Sequence, residues 1–306
     1  MVNVTAEEVR ALRHRTGAGL MDSKRALETC NGNIEEAVDL LRKKGLATAA
    51  NKSSRVAAEG LIGVFVDDKK GVLVEVNAET DFVARNELFQ KYVAEVVKHA
   101  CLKQLCVDSL KSAKHPGKEH TVLDELTSLI AVIGENMNLR RVEHVSVPEG
   151  VVVSYVHNKI SPTLGKIGIL VALESAGDKE KLQELGRCLA MHIAAAHPLS
   201  ISVEDLDPAV VERERNIVTE QAQSTGKTGF IDKIIDGRLR KFYEEVVLLE
   251  QTFVVDGETK IKDLIAKISK EIGAPIIIKK FVRFALGEGI EKQTVDFAAE
   301  VAAQLK

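Results

Sequence analysis

The sequence predicts an α+β protein, with antiparallel hairpins and helices in separate stretches of chain rather than in strict alternation. Three patterns predict it: a helix-period head over residues 1–55, two β-branched hairpins about 90 residues apart, each followed by a long amphipathic helix, and a helix-rich stretch over about 208–250. With 306 residues, 45% hydrophobic and 28% charged, the chain has enough apolar material for two domains and is not a disordered polymer.

In the head, Thr5-Ala6-Glu7-Glu8 has the spacing of a capping box, and Val9 and Leu12 then face inward. Gly17 and Gly19 end this helix, a second runs over about 21–30, and Asn31-Gly32-Asn33 turns the chain into a third. Ile34, Ala37, Val38 and Leu41 repeat at helical spacing, and Gly45 stands where a C-terminal cap belongs. The head carries ten Lys/Arg and seven Asp/Glu, a net +3 against −6 for the remainder. A linker rich in Ala, Ser and Lys is expected over about 46–58. The period then becomes extended. Runs at 61–66 and 72–76 flank Asp67-Asp68-Lys69-Lys70-Gly71, a hairpin signature, and Phe89, Tyr92, Val93, Val96, Val97 and Ala100 stripe a long helix. Runs at 151–156 and 167–173 and a helix over 181–196 repeat that order, which predicts an internal duplication. Ile231, Ile234, Ile235, Phe242, Val246 and Leu249 make a seam, so an antiparallel helical hairpin is expected around the turn at 224–229. A short helix at 261–272, a strand at 276–284 and a final helix at about 293–305, with Phe297 on its core stripe, complete the expectation.

Composition removes several function classes. The 42 Lys+Arg against 45 Asp+Glu leave a net charge of −3, with no basic surplus to displace counterions, so direct nucleic-acid binding is not expected. The longest apolar run, 167–173, is far short of the ~20 residues a bilayer requires, and no apolar leader follows Met1. A cytoplasmic location without a membrane partner is therefore expected. Cys30, Cys101, Cys106 and Cys188 are too few and too irregular for a disulfide framework or a metal site, and read as small buried hydrophobes. Gly226-Lys227-Thr228 suggests a phosphate loop, but that loop needs a glycine at 221, where Gln stands, so a solvated turn is expected. His192 and His197 are five residues apart, on different helix faces, unlike the pair of a zinc helix; each reads as a packed or surface histidine. With no catalytic constellation, no metal and no cofactor indicated, the residues point to a binding protein and not an enzyme.

Two segments are more specific: Leu12-Arg13-His14-Arg15-Thr16-Gly17-Ala18-Gly19-Leu20-Met21-Asp22-Ser23-Lys24-Arg25-Ala26-Leu27 and Glu79-Thr80-Asp81-Phe82-Val83-Ala84-Arg85-Asn86. With Ile133-Gly134-Glu135-Asn136, Ser154-Tyr155-Val156-His157, Ala190-Met191-His192-Ile193-Ala194-Ala195 and Gly287-Glu288-Gly289-Ile290-Glu291-Lys292, they resemble the elongation factor Ts family over essentially the whole chain. That resemblance implies a UBA-like three-helix module at 1–55, a core N subdomain at 56–145, a core C subdomain at 146–285 with a coiled-coil hairpin at about 208–250, and a C-terminal module at 286–306. It also implies a translation factor whose partner is elongation factor Tu, GDP-bound and nucleotide-free. In that family an Asp-Phe pair enters the partner's nucleotide domain and disturbs its Mg²⁺ and phosphate contacts so that GDP leaves. The implied exchange wedge is Thr80, Asp81, Phe82, Val83 and Ala84, with Ile133 and His157 in support and Arg13, Leu20 and Met21 docking the N-terminal module. Two departures stand out: the turn at 158–165 is longer than the family's Gly-rich turn, and Leu20 occupies a position where Met is common.

The residues themselves bear on Phe82. It lies seven positions before Phe89 and could share its buried helix face, but Arg85 and Asn86 occupy the face between them. A Phe taken alone is more often buried, but the apolar stripe begins at Phe89, so Phe82 can project beside Asp81 in the shape of a wedge, and with the family resemblance added the wedge outweighs the core. For Met21 the spacing alone suggests packing within the head, and the resemblance turns it toward contact. The rival to exchange is a protein that holds a GTPase without releasing its nucleotide.

Overall fold

Three helices open the chain, α1 (Ala6–Thr16), α2 (Leu20–Thr29) and α3 (Ile34–Lys52), around a small core of Val9, Leu12, Ala26, Leu27 and Ala37. The structure, a computed structural model, describes residues 4–224 and 231–291; the turn expected around Gly226-Lys227-Thr228, the final helix at 293–305 and Phe297 lie outside the described residues. Thr5 caps α1 as its spacing predicts: its hydroxyl accepts from the Glu8 N–H at 3.2 Å, and its own N–H donates to the Glu8 carboxylate at 2.8 Å. Gly45 does not cap α3. The helix continues to Lys52 and takes up half of the expected linker.

The rest of the chain supplies β1 (Glu59–Asp67), β2 (Lys70–Ala78), α4 (Glu87–Lys103), α5 (Val107–Ser112), α6 (Val122–Ile133) and β3 (Met137–Ser146). There follow β4 (Gly150–Ser161), β5 (Leu164–Glu174), α7 (Lys179–Ala196), α8 (Pro208–Ser224), α9 (Ile231–Val246), α10 (Ile261–Ile272) and β6 (Ile277–Ala285). Sequence patterning missed α5, α6 and β3. The reason Gly45 lies inside a helix is α6: a side-chain carbon at Gly45 would sit 3.5 Å from the Ala131 Cβ, so the two helices cross closely there. Arg42–Asp124 at 3.0 Å and Lys52 Nζ donating to the Gly134 carbonyl at 2.6 Å fasten the same contact.

All strand pairing is antiparallel, in two three-stranded units with the second strand central: β1-β2-β3 and β4-β5-β6. A short β1–β5 pairing at Ile62↔Gly165 and Gly63↔Leu164 joins them into one curled sheet. Ile62, Val64 and Leu73 of the first unit share a core with Val152, Leu170 and Val282 of the second. Outside that layer α4 and α6 cover the first unit, through Phe89, Val93 and Leu126, and α7 and α10 cover the second, through Leu182, Leu189 and Ile265.

The expected duplication extends to backbone detail. Gly60 and Gly150 open corresponding strands at φ +120° and +119°, a conformation closed to other residues, and a Cβ would meet the Val76 carbonyl oxygen at 2.2 Å and that of Leu173 at 2.0 Å. The β2–β3 and β5–β6 ladders each shift register once, at Glu75/Val76 and at Ala172/Leu173. The helix–strand crossing is solved in opposite ways. In the first unit the strand supplies the glycine, Gly63, beneath Val93 and Val97; in the second the helix supplies it, Gly186, over Val153. The strand-to-helix connections differ in length: residues 79–86 join β2 to α4, whereas only 175–178 join β5 to α7.

Two further expectations are corrected. The turn at 158–165 is not a long loop, because β4 continues to Ser161 and β5 begins at Leu164, leaving Pro162-Thr163 as the tip of a lengthened ribbon. Cys106 is exposed, whereas Cys101 is buried and Cys30 and Cys188 are half-buried. His192 and His197 fall as expected, the first buried within α7 and the second on its left-handed C-cap. Helix α8 packs on α9 through Val218, Ile235 and Leu239.

A charge network closes the curl of the sheet. Glu75, wholly buried in β2, accepts from Asn77 Nδ2 at 2.9 Å, Arg140 Nη1 at 3.1 Å, Arg141 Nε and the Gly287 N–H at 2.9 Å. Burial pushes its pKa up, but the bonds from Gly287, Asn77 and Arg141 outweigh burial and hold it below the ordinary carboxylate value. Arg141 also donates to the Ala285 carbonyl at 3.0 Å, and Arg140 to that of Glu288 at 2.7 Å, so the chain after β6 is fixed to β2 and β3.

Candidate partner-docking site

The longer connection, residues 79–86, holds Thr80, Asp81, Phe82, Val83 and Ala84. The β2–β3 ladder ends at Ala78↔Met137, so the next backbone N–H groups lose their strand partners and need others. Side chains supply them reciprocally. The Glu135 carboxylate accepts from the Thr80 N–H at 2.9 Å and the Thr80 hydroxyl at 2.7 Å, while Glu79 accepts from the Asn136 N–H at 2.5 Å. Asn136 Nδ2 donates to the Arg55 carbonyl at 2.7 Å, and the Arg55 guanidinium lies 3.5 Å from Glu79.

Past Thr80 the chain forms a 3₁₀ turn, Val83–Arg85, and Asn86 then caps α4 by accepting from the Leu88 and Phe89 N–H groups at 2.9 and 3.3 Å. Val83 and Ala84 are buried in the core beneath α4, and Gln90 Nε2 donates to the Ala84 carbonyl at 2.9 Å. Between these two anchors Asp81 and Phe82 face solvent. At 76% exposure Phe82 is the most exposed large hydrophobic among the described residues. The five residues thus divide: Asp81 and Phe82 point outward, Val83 and Ala84 pack inward, and Thr80 is half-buried in the clamp.

The other sequence-derived residues lie on separate elements. Ile133 ends α6, half-buried against the core that holds Val83. His157 is exposed on β4, its Nδ1 3.2 Å from the Tyr155 hydroxyl. Arg13 is exposed on the last turn of α1, and Leu20 and Met21, 54% and 57% exposed, open α2 as an apolar pair in water. The packing alternative for Met21 is therefore set aside. Among the described residues no hydrogen bond joins Phe82, His157 and the Leu20–Met21 pair to one another.

Glu79, Glu135, Asn136 and the Glu75 network went unassigned in the sequence. Gly134 at φ +85°, closing a helix directly before two hydrogen-bonding side chains, is the signal that could have identified the clamp. Among the described residues no group of three or more His, Cys, Asp or Glu could hold a metal, and no helix is long and apolar enough to cross a membrane.

Comparison with known proteins places this geometry in context. Residues 79–288 match the family model described as elongation factor TS. The chain is 56% identical over 304 residues to elongation factor Ts of Rhodospirillum centenum, covering 99% of each chain. It is 56% identical over 305 residues to that of Paramagnetospirillum magneticum, covering 99% of this chain and 98% of the relative. With that of Rhodospirillum rubrum it shares 54% identity over 308 residues, covering the whole of both.

Proposed function

This chain belongs to the elongation factor Ts family of translation elongation factors, and from that premise we propose that it binds elongation factor Tu–GDP and promotes GDP release through Asp81 and Phe82. The observation that carries the reading is the exposed Phe82 ring on a loop anchored at both ends. Burying such a ring in a partner gains about 1.5–3 kcal/mol, and the anchoring spares much of the ordering cost that a mobile loop would incur. Asp81 beside it brings negative charge toward a site that depends on Mg²⁺ and phosphate. Ile133 and His157 support the wedge, and Val83 and Ala84 hold it from within. Arg13, Leu20 and Met21 dock the UBA-like head. The paired helices α8 and α9 form a hairpin that offers a further docking surface.

No bond is made or broken, so the chain acts as an exchange factor and not as an enzyme. By linkage, a protein that weakens GDP binding is itself released by GDP with the same coupling free energy. A thousandfold faster release needs only about 4 kcal/mol off the barrier, a demand within reach of one inserted ring and a disturbed Mg²⁺ shell. The site of action is the cytoplasm, with the partner alternating between GDP-bound and nucleotide-free forms. The test is release of fluorescent GDP from elongation factor Tu with and without this chain. Acceleration that saturates with concentration is expected; binding without acceleration would establish a passive holding protein instead.

A further inference from the structure

Resting on that exchange reading, we propose that Glu135 is a positioning residue, which sets the posture of the Asp81–Phe82 pair through its two-point hold on Thr80. Phe82 is two residues beyond Thr80 and one before the buried Val83. Among the described residues the hydrogen bonds on the strand side of the wedge are the Glu135–Thr80 bonds at 2.9 and 2.7 Å and the Glu79–Asn136 bond at 2.5 Å, with the Arg55 guanidinium 3.5 Å from Glu79 behind them. Both oxygens of Glu135 are spent on one residue, so the carboxylate fixes position and orientation together. Met137, two residues after Glu135, pairs with Ala78 in the ladder, and this makes the clamp a rigid continuation of the sheet. The clamp also reaches the head: Asn136 holds the Arg55 carbonyl, and Lys52 holds the carbonyl of Gly134, the residue before Glu135.

A ring presented in one posture contributes to the step in which the nucleotide is expelled, whereas docking contacts elsewhere contribute to affinity. The two are separable by measuring GDP release against factor concentration up to saturation. Glu135→Ala is expected to lower the maximal release rate about tenfold while changing the half-saturating concentration by less than about threefold. Glu135→Gln, which keeps one acceptor for the Thr80 N–H and offers its amide to the Thr80 hydroxyl, is expected to recover most of that loss. Thr80→Val, which removes only the hydroxyl bond, should cost about threefold in maximal rate, and adding it to Glu135→Ala should cost nothing more. A wild-type maximal rate for Glu135→Ala, or a Gln variant no better than Ala, overturns the proposal. Should Glu135→Ala fail to fold, a wild-type rate for Thr80→Val overturns it equally. Phe82→Ala run in parallel separates the two levels. If Phe82→Ala keeps full exchange, the exchange reading itself fails; if it is slow while Glu135→Ala is not, only the positioning role fails.

Discussion

At the scale of single residues, exposure and burial separate parts that the sequence places side by side. Phe82 and Val83 are neighbours, yet one is 76% exposed and the other 3%. Phe82→Ala should therefore leave the melting temperature within about 1 °C, since it removes almost no core contact, while lowering exchange at fixed concentration by about thirtyfold. A large thermal shift with exchange intact would return Phe82 to the core. Glu75 presents the opposite case, a buried carboxylate whose loss strands Arg140 and Arg141. Glu75→Ala is expected to cost about 3 kcal/mol and lower the melting temperature by about 5 °C or more, read by calorimetry. His192 is buried and neutral, with Nε2–H donating to Gln251 at 2.8 Å and Nδ1 accepting from the Val254 N–H at 3.3 Å. Burial lowers its pKa below 6.5, against the opposing pull of the Gln251 bond. The unfolded chain then binds more protons than the folded one below about pH 6.5, so the stability due to His192 is complete above that pH and falls as pH drops toward the folded value. An NMR titration of the His192 ring with a midpoint at or above 6.5 would reverse this sign.

At the scale of elements, the two halves of the duplication solve one packing problem by exchanging a glycine between strand and helix. Gly186 lies over Val153 so closely that a Cβ would be 2.5 Å from Cγ2, and Gly186→Ala should cost about 1–3 kcal/mol in urea unfolding. Val153→Ala removes the methyl groups that clash. The double variant should therefore lose less than the sum of the singles, with a coupling of about 1 kcal/mol. Strict additivity would mean that α7 simply shifts away from β4. The candidate site lies in a connection from strand to helix that is eight residues long (79–86) in the first half and four (175–178) in the second.

At the scale of the whole molecule, the head has its own core, yet α3 leans on α6, and Lys52 at its end and Arg55 just beyond it reach the clamp. A chain beginning just before Lys52 loses Arg13, Leu20 and Met21 but keeps the hold on Gly134 and Asn136. Under the proposed exchange function it should bind elongation factor Tu more weakly, since a linked module raises the effective concentration of the second contact, while reaching the full GDP-release rate at saturation. A maximal rate that stays at the spontaneous value when complex formation is complete would give the head a part in nucleotide expulsion itself.

Local pattern by itself determined the three head helices, both hairpins and the long helices behind them, because each depends on periodicity and capping within a few turns of chain, whereas it left Phe82 free to project and the family resemblance turned it outward. The tertiary structure alone decided the rest. Gly45 reads as a cap until Ala131 is beside it, and the Arg140-Arg141 pair of β3 carries no signal until Glu75 and the carbonyls of Ala285 and Glu288 are placed against it. Glu135 has no role legible in the sequence until Thr80, 55 positions earlier, donates to it twice. In each case the partner is remote in sequence, and a bond between remote groups leaves no local period to read.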